Sequence, residues 1–419
     1  MTLPKIEYFG YLSAASGLGV AARGYLSVLK SIGYPLRCHD LTPSSHRSLQ
    51  LPVECAGACW NQQGPIIRIL HVNAEELPRI LRVIPSESSE NVYQIGIWAW
   101  ETDRFPKQWL DRFSYLDEVW VGSQFMASAI TAYSPVPVTV APYVVDVPKS
   151  MTNNPGSDNS PFTFFFSFDY RSIVERKNPL GLIEVFRAAF ISGERVRLRI
   201  KSSHASSRPE YARQLQNAAT GLPVEFMDEI VDTQTNWELL ASADAYVSLH
   251  RSEGFGLGMA EAMALGKPVI ATAYGGNCDY MNSDNSALVK YNLFKTLKAY
   301  PPYPMGTIWA ETDHNDAIKQ MRRLYEDVAW RQTIGRNAQA YMLNYYSPEA
   351  IARLISQRLY DIEKLGYLRS KYFPEKSAGI ISRNIWKPMR SGWHFTLAIL
   401  PERYHKYLFG LRRVLGSKK

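Results

Sequence analysis

The chain has 419 residues, 46% hydrophobic and 21% charged, a globular composition long enough for two or three domains, each with its own core. Its formal net charge of +8 lies entirely after Ile381, where nine basic residues accompany one acid, Glu402, so the body is neutral and no nucleic-acid partner is expected. No apolar run reaches the roughly 18 residues needed to span a bilayer, and the opening MTLPKIEYFG lacks a basic segment followed by an apolar core, so a cytoplasmic protein is expected.

Cys38, Cys55, Cys59 and Cys278 are too few and too scattered for a disulfide framework. Cys55 and Cys59 have no second Cys or His pair nearby at zinc-site spacing, and no metal is expected there.

Residues 1–148 alternate strands and helices. Ile6–Leu12 reads as a strand and Leu18–Ser31 as a helix with apolar residues at helical spacing. Gly17 and Gly19, between them, form a Gly-x-Gly turn; with Asp40 near the end of the second strand, it fits either a dinucleotide site or a sugar-nucleotide loop. Further strands are expected at Leu36–Leu41, Ile66–Val72, Val92–Trp100, Glu118–Gly122 and Val138–Val145, giving a parallel α/β sheet. Residues 42–64, rich in Ser, Pro, Gly and Gln, read as a long functional loop. The run W-A-W-E-T-D places Glu101 at the carboxyl end of a parallel strand, where ligands gather, with Asp103 competing. His71, near the end of the preceding strand, is either a further candidate or a hydrogen-bonded structural histidine.

Asp146 to Pro161 is polar and rich in Pro, Asn and Ser, and reads as an interdomain linker. A second α/β series covers 162–365: strand Phe162–Phe168, helix Pro179–Ile191, strand Val196–Lys201, helix Pro209–Ala219, strand Val224–Met227 and helix Thr235–Ala241, with helical patterns at 313–327, 330–345 and 348–364. Asn178 as cap and Pro179 at the first helical position make a clean helix start just after Arg176 and Lys177.

The most informative stretch is E-G-F-G-L-G-M-A-E-A-M-A-L-G-K-P-V-I-A-T, residues 253–272. Apolar runs Ala245–Leu249 and Pro268–Ala273 suit buried parallel strands, so the unit reads strand, glycine turn, helix, strand. Gly254, Gly256 and Gly258 allow a ligand close to the backbone, and the helix start directs unpaired N–H groups at an anion. Carboxylates would repel that anion, so Glu253 and Glu261 should face hydroxyls. A diphosphate with polyols at both ends, a nucleotide sugar, satisfies both.

This pattern resembles the glutamate–seven–glutamate signature of the retaining glycosyltransferases of family four, whose two-domain fold is called GT-B. The resemblance implies two tandem doubly wound Rossmann-like α/β domains facing a cleft: an acceptor-side domain at 1–148 and a nucleotide-sugar domain at 162–365. It implies that Glu253 meets donor-sugar hydroxyls and Glu261 the nucleotide ribose, with Gly254, Phe255, Gly256 and Leu257 lining the donor. Arg176 and Lys177 resemble the dyad that neutralises the donor diphosphate, with Arg171 and Lys201 as lesser candidates. Gly17 and Gly19 would face the donor phosphate or the acceptor, and Gly276 and Asn277, after the next strand, the donor sugar. Many relatives carry a donor-contacting histidine where this chain has Glu101, which leaves Glu101 a positional match. No Asp-x-Asp motif flanked by apolar strand residues is present, so no cofactor and no obligatory metal are expected, and the substrate would be a UDP- or GDP-linked sugar. Retention would then need no covalent nucleophile: the acceptor attacks from the face the diphosphate leaves, and a phosphate oxygen takes the proton.

Residues 366–419 read as a crossover and a basic amphipathic helical tail. Within it, 381–419 mixes Trp, Phe, Tyr and Leu with Arg and Lys, which suits either an anionic membrane surface or packing against the first domain. Many relatives build bacterial surface polysaccharides, so a glycan or lipid-linked glycan acceptor and a site at the inner face of the plasma membrane are expected. The rivals are an inactive sugar-nucleotide-binding subunit and a phosphorylase of the same fold.

Overall fold

The computed structural model describes residues 4–43, 65–84, 92–151 and 160–364. The first six strands, β1 Lys5–Gly10, β2 Leu36–Asp40, β3 Ile66–His71, β4 Val92–Trp98, β5 Glu118–Val121 and β6 Val138–Val140, form a sheet of order β2-β1-β3-β4-β5-β6. The second sheet holds β7 Phe162–Asp169, β8 Val196–Ser203, β9 Val224–Asp228, β10 Ala245–Ser248, β11 Val269–Thr272 and β12 Ala287–Val289, in order β12-β11-β10-β7-β8-β9. Every pairing in both is parallel. Strand order reverses beside β1 in one sheet and beside β7 in the other. Crevices outside the strands' carboxyl ends open at such reversals.

The helices are α1 Gly17–Ser31, α2 Leu77–Leu81, α3 Gln124–Thr131, α4 Val174–Lys177, α5 Pro179–Ala189, α6 Pro209–Ala218, α7 Thr233–Ala241, α8 Leu257–Ala264, α9 His314–Glu326, α10 Val328–Tyr345 and α11 Pro348–Lys364. Local chemistry explains their starts. Ser16 accepts a hydrogen bond from Gly19 N at 3.2 Å, and Asn178 accepts from Gly181 N while Pro179 opens α5. Along α1 the buried residues Ala21, Ala22, Tyr25, Leu26, Val28 and Leu29 recur at helical spacing and cover the first sheet. In β7 the run of phenylalanines is buried on both faces. Phe164, Phe166 and Phe168 pack with Leu182, Ile183 and Phe186 of α5 in one core, whereas Phe165 joins a second core that continues into the first domain.

Three features depart from the sequence reading. Residues 291–312 contain an antiparallel ribbon, β13 Tyr291–Lys295 with β14 Ile308–Thr312, where no element was expected. Helix α11, read with the second domain, crosses to the first and packs on α1. Cys38 on β2 is disulfide-bonded, so the cysteines do not argue for a reducing compartment. The expected functional loop at 44–64, most of the linker and the basic tail lie outside the described residues.

The α11 crossing is anchored by a buried ion pair. Arg358 donates to both oxygens of Glu118 at 2.9 Å, and the carboxylate, fully buried on β5, also accepts from Tyr93 at 3.0 Å, Trp120 at 2.9 Å and Thr139. Removing one member of such a pair strands a charge away from water. Arg358→Ala should therefore lower unfolding free energy by about 2–4 kcal/mol in urea titrations. Arg79→Ala, which breaks the exposed pair with Glu76, should cost less than about 0.5 kcal/mol.

Candidate functional site

At the carboxyl end of the second sheet, the turn after β10 and the short helix after β7 meet. Glu253 leads the glycine turn and is buried. Its carboxylate receives Lys177 Nζ on one oxygen and lies 3.1 Å from an Arg176 guanidinium nitrogen on the other. Burial alone would raise the Glu253 carboxyl, but Lys177 and Arg176 outweigh it and hold the group down at about 2. Burial likewise opposes the charge on Arg176, yet Glu253 raises its proton affinity above the ordinary arginine value. For Lys177 the balance tips the other way, and burial leaves the ammonium below its usual range despite Glu253.

The two cations occupy different places. Arg176 is almost wholly covered and donates to Ser252 O at 2.7 Å, so its guanidinium is committed to the turn beneath the site. Lys177 keeps 19% of its side chain exposed and reaches the surface of the crevice. Arg171, in the connection between β7 and α4, is exposed and forms no side-chain ion pair among the described residues.

The glycines shape the turn. Gly276 N donates to Glu253 O at 2.8 Å, and a Cβ on Gly276 would lie 1.6 Å from Gly254 O, so the two backbones touch where no side chain fits. Gly256 has φ +86 and caps α8 without a side-chain acceptor. The Leu257 and Gly258 N–H groups meet no acceptor among the described residues, which leaves an electropositive helix end beside Lys177. Phe255 turns inward, its ring 4.9 Å from that of Tyr143 and 5.3 Å from that of Tyr280, so it packs the turn and offers only backbone outward. Asn277 is also buried, with its amide nitrogen on Thr272 O at 3.0 Å.

The first domain closes over this turn. Glu101 accepts from Tyr303 at 2.7 Å on its carboxylate and from the Ser252 hydroxyl on its carbonyl, which brings it to the rim of the Glu253 cluster. Ser123 donates to Gly254 O at 2.5 Å, and Gln124 N donates to Asp279 at 2.6 Å. Gly17 comes within van der Waals range of Leu257: a Cβ there would sit 3.7 Å from the leucine methyl. Gly19 instead serves the first turn of α1, where a Cβ would collide with Ala14 O.

Other sequence candidates resolve into structure. Asp40 accepts from Leu12 N at 2.9 Å, the Ser13 hydroxyl at 2.5 Å, and Thr42 N at 3.0 Å, so it ties down the β1–α1 turn and the dinucleotide fingerprint loses its acid. His71 is buried against Tyr8 at 2.7 Å, and burial drives it down to about 3, a neutral imidazole packed among tyrosines. Asp103 accepts from Ile308 N at 3.3 Å. Lys201 lies on β8, two residues short of its end; burial lowers its ammonium while Asp169 and Asp228 oppose the shift. Sequence reasoning missed Tyr303 and Ser252, whose roles depend on the unanticipated ribbon and on a contact spanning the two domains.

Glu261 sits on α8, half-buried, and its carboxylate forms no hydrogen bond or ion pair with a described residue. Desolvation alone pushes its carboxyl up to about 7. Among the described residues, no cluster of three or more His, Cys, Asp or Glu could hold a metal ion, and no helix is long and apolar enough to cross a membrane.

Two facing Rossmann-like α/β domains with a final helix returning to the first make this a GT-B fold, the two-domain architecture of nucleotide-sugar glycosyltransferases. Residues 156–341, nearly the whole second domain, match the family model described as glycosyl transferases group 1. A stretch of 128 residues is 29% identical to the sulfoquinovosyl transferase SQD2 of Arabidopsis thaliana; it covers 30% of this chain and spans only 22% of that curated relative. Among solved structures, the sucrose-phosphate synthase of Thermosynechococcus elongatus superposes with a TM-score of 0.61 at 16% identity, over 86% of this chain and 100% of that one. Anabaena HepE, in complex with UDP and glucose, gives 0.59 at 14% identity over 85% and 100%. An S. aureus TarM mutant, solved with fondaparinux, alpha-GlcNAc-glycerol and UDP, gives 0.52 at 16% over 70% of this chain and 55% of that one.

Glu261 generates a pH prediction. Its folded value of about 7 exceeds the ordinary 4.5, so the folded state binds more protons than the unfolded one between those values and stability falls as pH rises through that window. Glu261→Gln should raise unfolding free energy by about 1–3 kcal/mol at pH 8 and by little at pH 4.5. Thermal unfolding of both proteins at the two pH values reads the difference.

Proposed function

We propose that this chain is a retaining, metal-independent glycosyltransferase that moves a sugar from a nucleoside-diphosphate donor to a glycan or lipid-linked glycan. The single observation that carries the reading is the buried Glu253 held by Lys177 and Arg176 beside the uncapped start of α8. Two cations and one carboxylate leave net positive charge next to a helix N-terminus, which suits a diphosphate. UDP in the HepE and TarM structures makes a UDP-sugar the first donor to test.

The residues divide the work. Lys177, reaching the crevice, stabilises charge on the departing diphosphate together with the α8 N–H groups. Arg176 holds Glu253 and the turn in place from beneath, and Arg171, exposed just before α4, remains a lesser candidate for a second cation. Glu253, kept ionised, accepts hydrogen bonds from donor-sugar hydroxyls. Glu261, whose carboxylate has no partner among the described residues, accepts from ribose hydroxyls, and Glu101 lies on the acceptor side. The acceptor oxygen attacks the anomeric carbon on the face from which the diphosphate leaves; the carbon–phosphate-oxygen bond breaks, and a phosphate oxygen of the leaving group takes the acceptor proton. A peripheral site at the inner membrane face, with 381–419 on anionic lipid, completes the reading.

Calorimetry with UDP and a transfer or slow donor-hydrolysis assay test it. Glu261→Ala should weaken UDP binding by about 1–3 kcal/mol, whereas Glu253→Gln should spare UDP affinity and depress turnover. Lys177→Ala should slow transfer by about 100-fold or more, and chelator should leave wild-type activity intact. Equal loss of UDP affinity in both glutamate variants, or activity lost to chelator and restored by magnesium or manganese, would overturn the assignment.

A further inference from the structure

The ribbon and its connecting loop, residues 290–306, carry apolar surface that the fold leaves uncovered. Leu293 is 56% exposed, Leu297 93% and Met305 70%. Elsewhere on the described surface large exposed apolar residues come singly or in pairs along the chain, such as Phe226 with Ile230 and Leu343 with Tyr345, so three within 13 residues form a patch. The same segment holds Lys290, Lys295 and Lys298, all exposed, and no acidic residue. None of the three lysines forms an ion pair with a described residue, and Lys298 lies over the Tyr300 ring at 5.0 Å.

The patch is held rigidly. Thr296 N donates to Thr307 O and Gly306 N to Thr296 O, both at 2.9 Å, while Tyr300 and Tyr303 exchange 2.9 and 2.7 Å bonds that tighten the tip. The buried side of the ribbon is anchored by Trp309, against which Phe294 and Tyr300 pack. From the base of the tip, Tyr303 reaches Glu101 at the rim of the site. An apolar, lysine-bearing ribbon therefore stands beside the crevice.

We propose that the 290–306 ribbon is a membrane-docking element that lays Leu297 and Met305 into the interface of an anionic bilayer, with its lysines at the headgroups. Charge selects this occupant over two others. The tail 381–419 has nine basic residues and one acid and would meet the ribbon lysines as like charge, as would the same ribbon of a second copy. An anionic lipid surface is complementary to both parts of the patch, apolar and cationic. This inference is independent of the sugar chemistry: UDP binding tests the reaction, and lipid binding tests the ribbon.

The test uses the full chain with vesicles of phosphatidylglycerol and phosphatidylcholine, and with phosphatidylcholine alone. Wild type should sediment with the anionic vesicles at low salt and dissociate at high salt. Leu297→Ser with Met305→Ser should need at least tenfold more anionic lipid for half-binding, as should Lys295→Glu with Lys298→Glu. Val83→Ser with Ile191→Ser, exposed apolar positions elsewhere, should bind like wild type. Unchanged UDP affinity and thermal midpoint establish that the variants are folded. Because the tail also carries basic charge, hydrogen exchange on wild type locates the contact: amides of 293–305 should gain protection on anionic vesicles. The proposal is overturned if wild type ignores these vesicles, if both ribbon variants bind as wild type does, if protection falls only outside the ribbon, or if the variants alter self-association without altering lipid binding.

Discussion

The structure turns on one carboxylate. Glu253 sits where the strand order of the second sheet reverses, and two cations from the adjacent helix α4 converge on it. A glutamate taken out of water needs such compensation, and each cation is held by what it neutralises. The pairing fixes the turn from which the glycines lead into α8 and joins the two loops that flank the reversal.

Around that turn the domains are joined by specific contacts as well as by packing. Ser252 and Gly254, on either side of Glu253, bond to Glu101 and Ser123 of the first domain, and the Tyr143 ring packs at a tilt against Phe255. The signature turn is thus shared between the two halves of the crevice. Phe255, which meets Tyr143 of the first domain, is buried and fixed in place, while Lys177 and Glu261 remain partly accessible.

Much of this was legible in the chain. The parallel strands, the α5 start at Asn178 and Pro179, and the strand–turn–helix–strand unit around Glu253 follow from apolar periodicity and turn chemistry, and their observed limits differ from the expected ones by a few residues. What was not legible depended on geometry at a distance. Arg176 and Lys177 are neighbours in sequence, yet on a helix successive residues point about 100° apart, so one is buried and the other reaches the crevice. Arg358 and Glu118 are 240 positions apart, and nothing local marks them as partners. The ribbon at 291–312 escaped because its prolines and unpaired apolar residues read as loop, and because β13 faces solvent on both sides. Asp40 shows the opposite hazard: a residue in the right place for ribose was occupied with its own turn.

Helix α11 gives the molecule an unusual kind of indivisibility. The first domain is assembled from two stretches of chain, one before the second domain and one after it, because Arg358 and the helix that carries it belong structurally with Glu118 and α1. The segment between 148 and 162 is therefore a boundary in sequence but not in folding. A ribosome that has finished the first sheet has not finished the first domain, whose last helix arrives about two hundred residues later. Fragments cut at that boundary would leave Glu118 without its arginine and α1 without its cover, and two such halves would have to find each other to become whole.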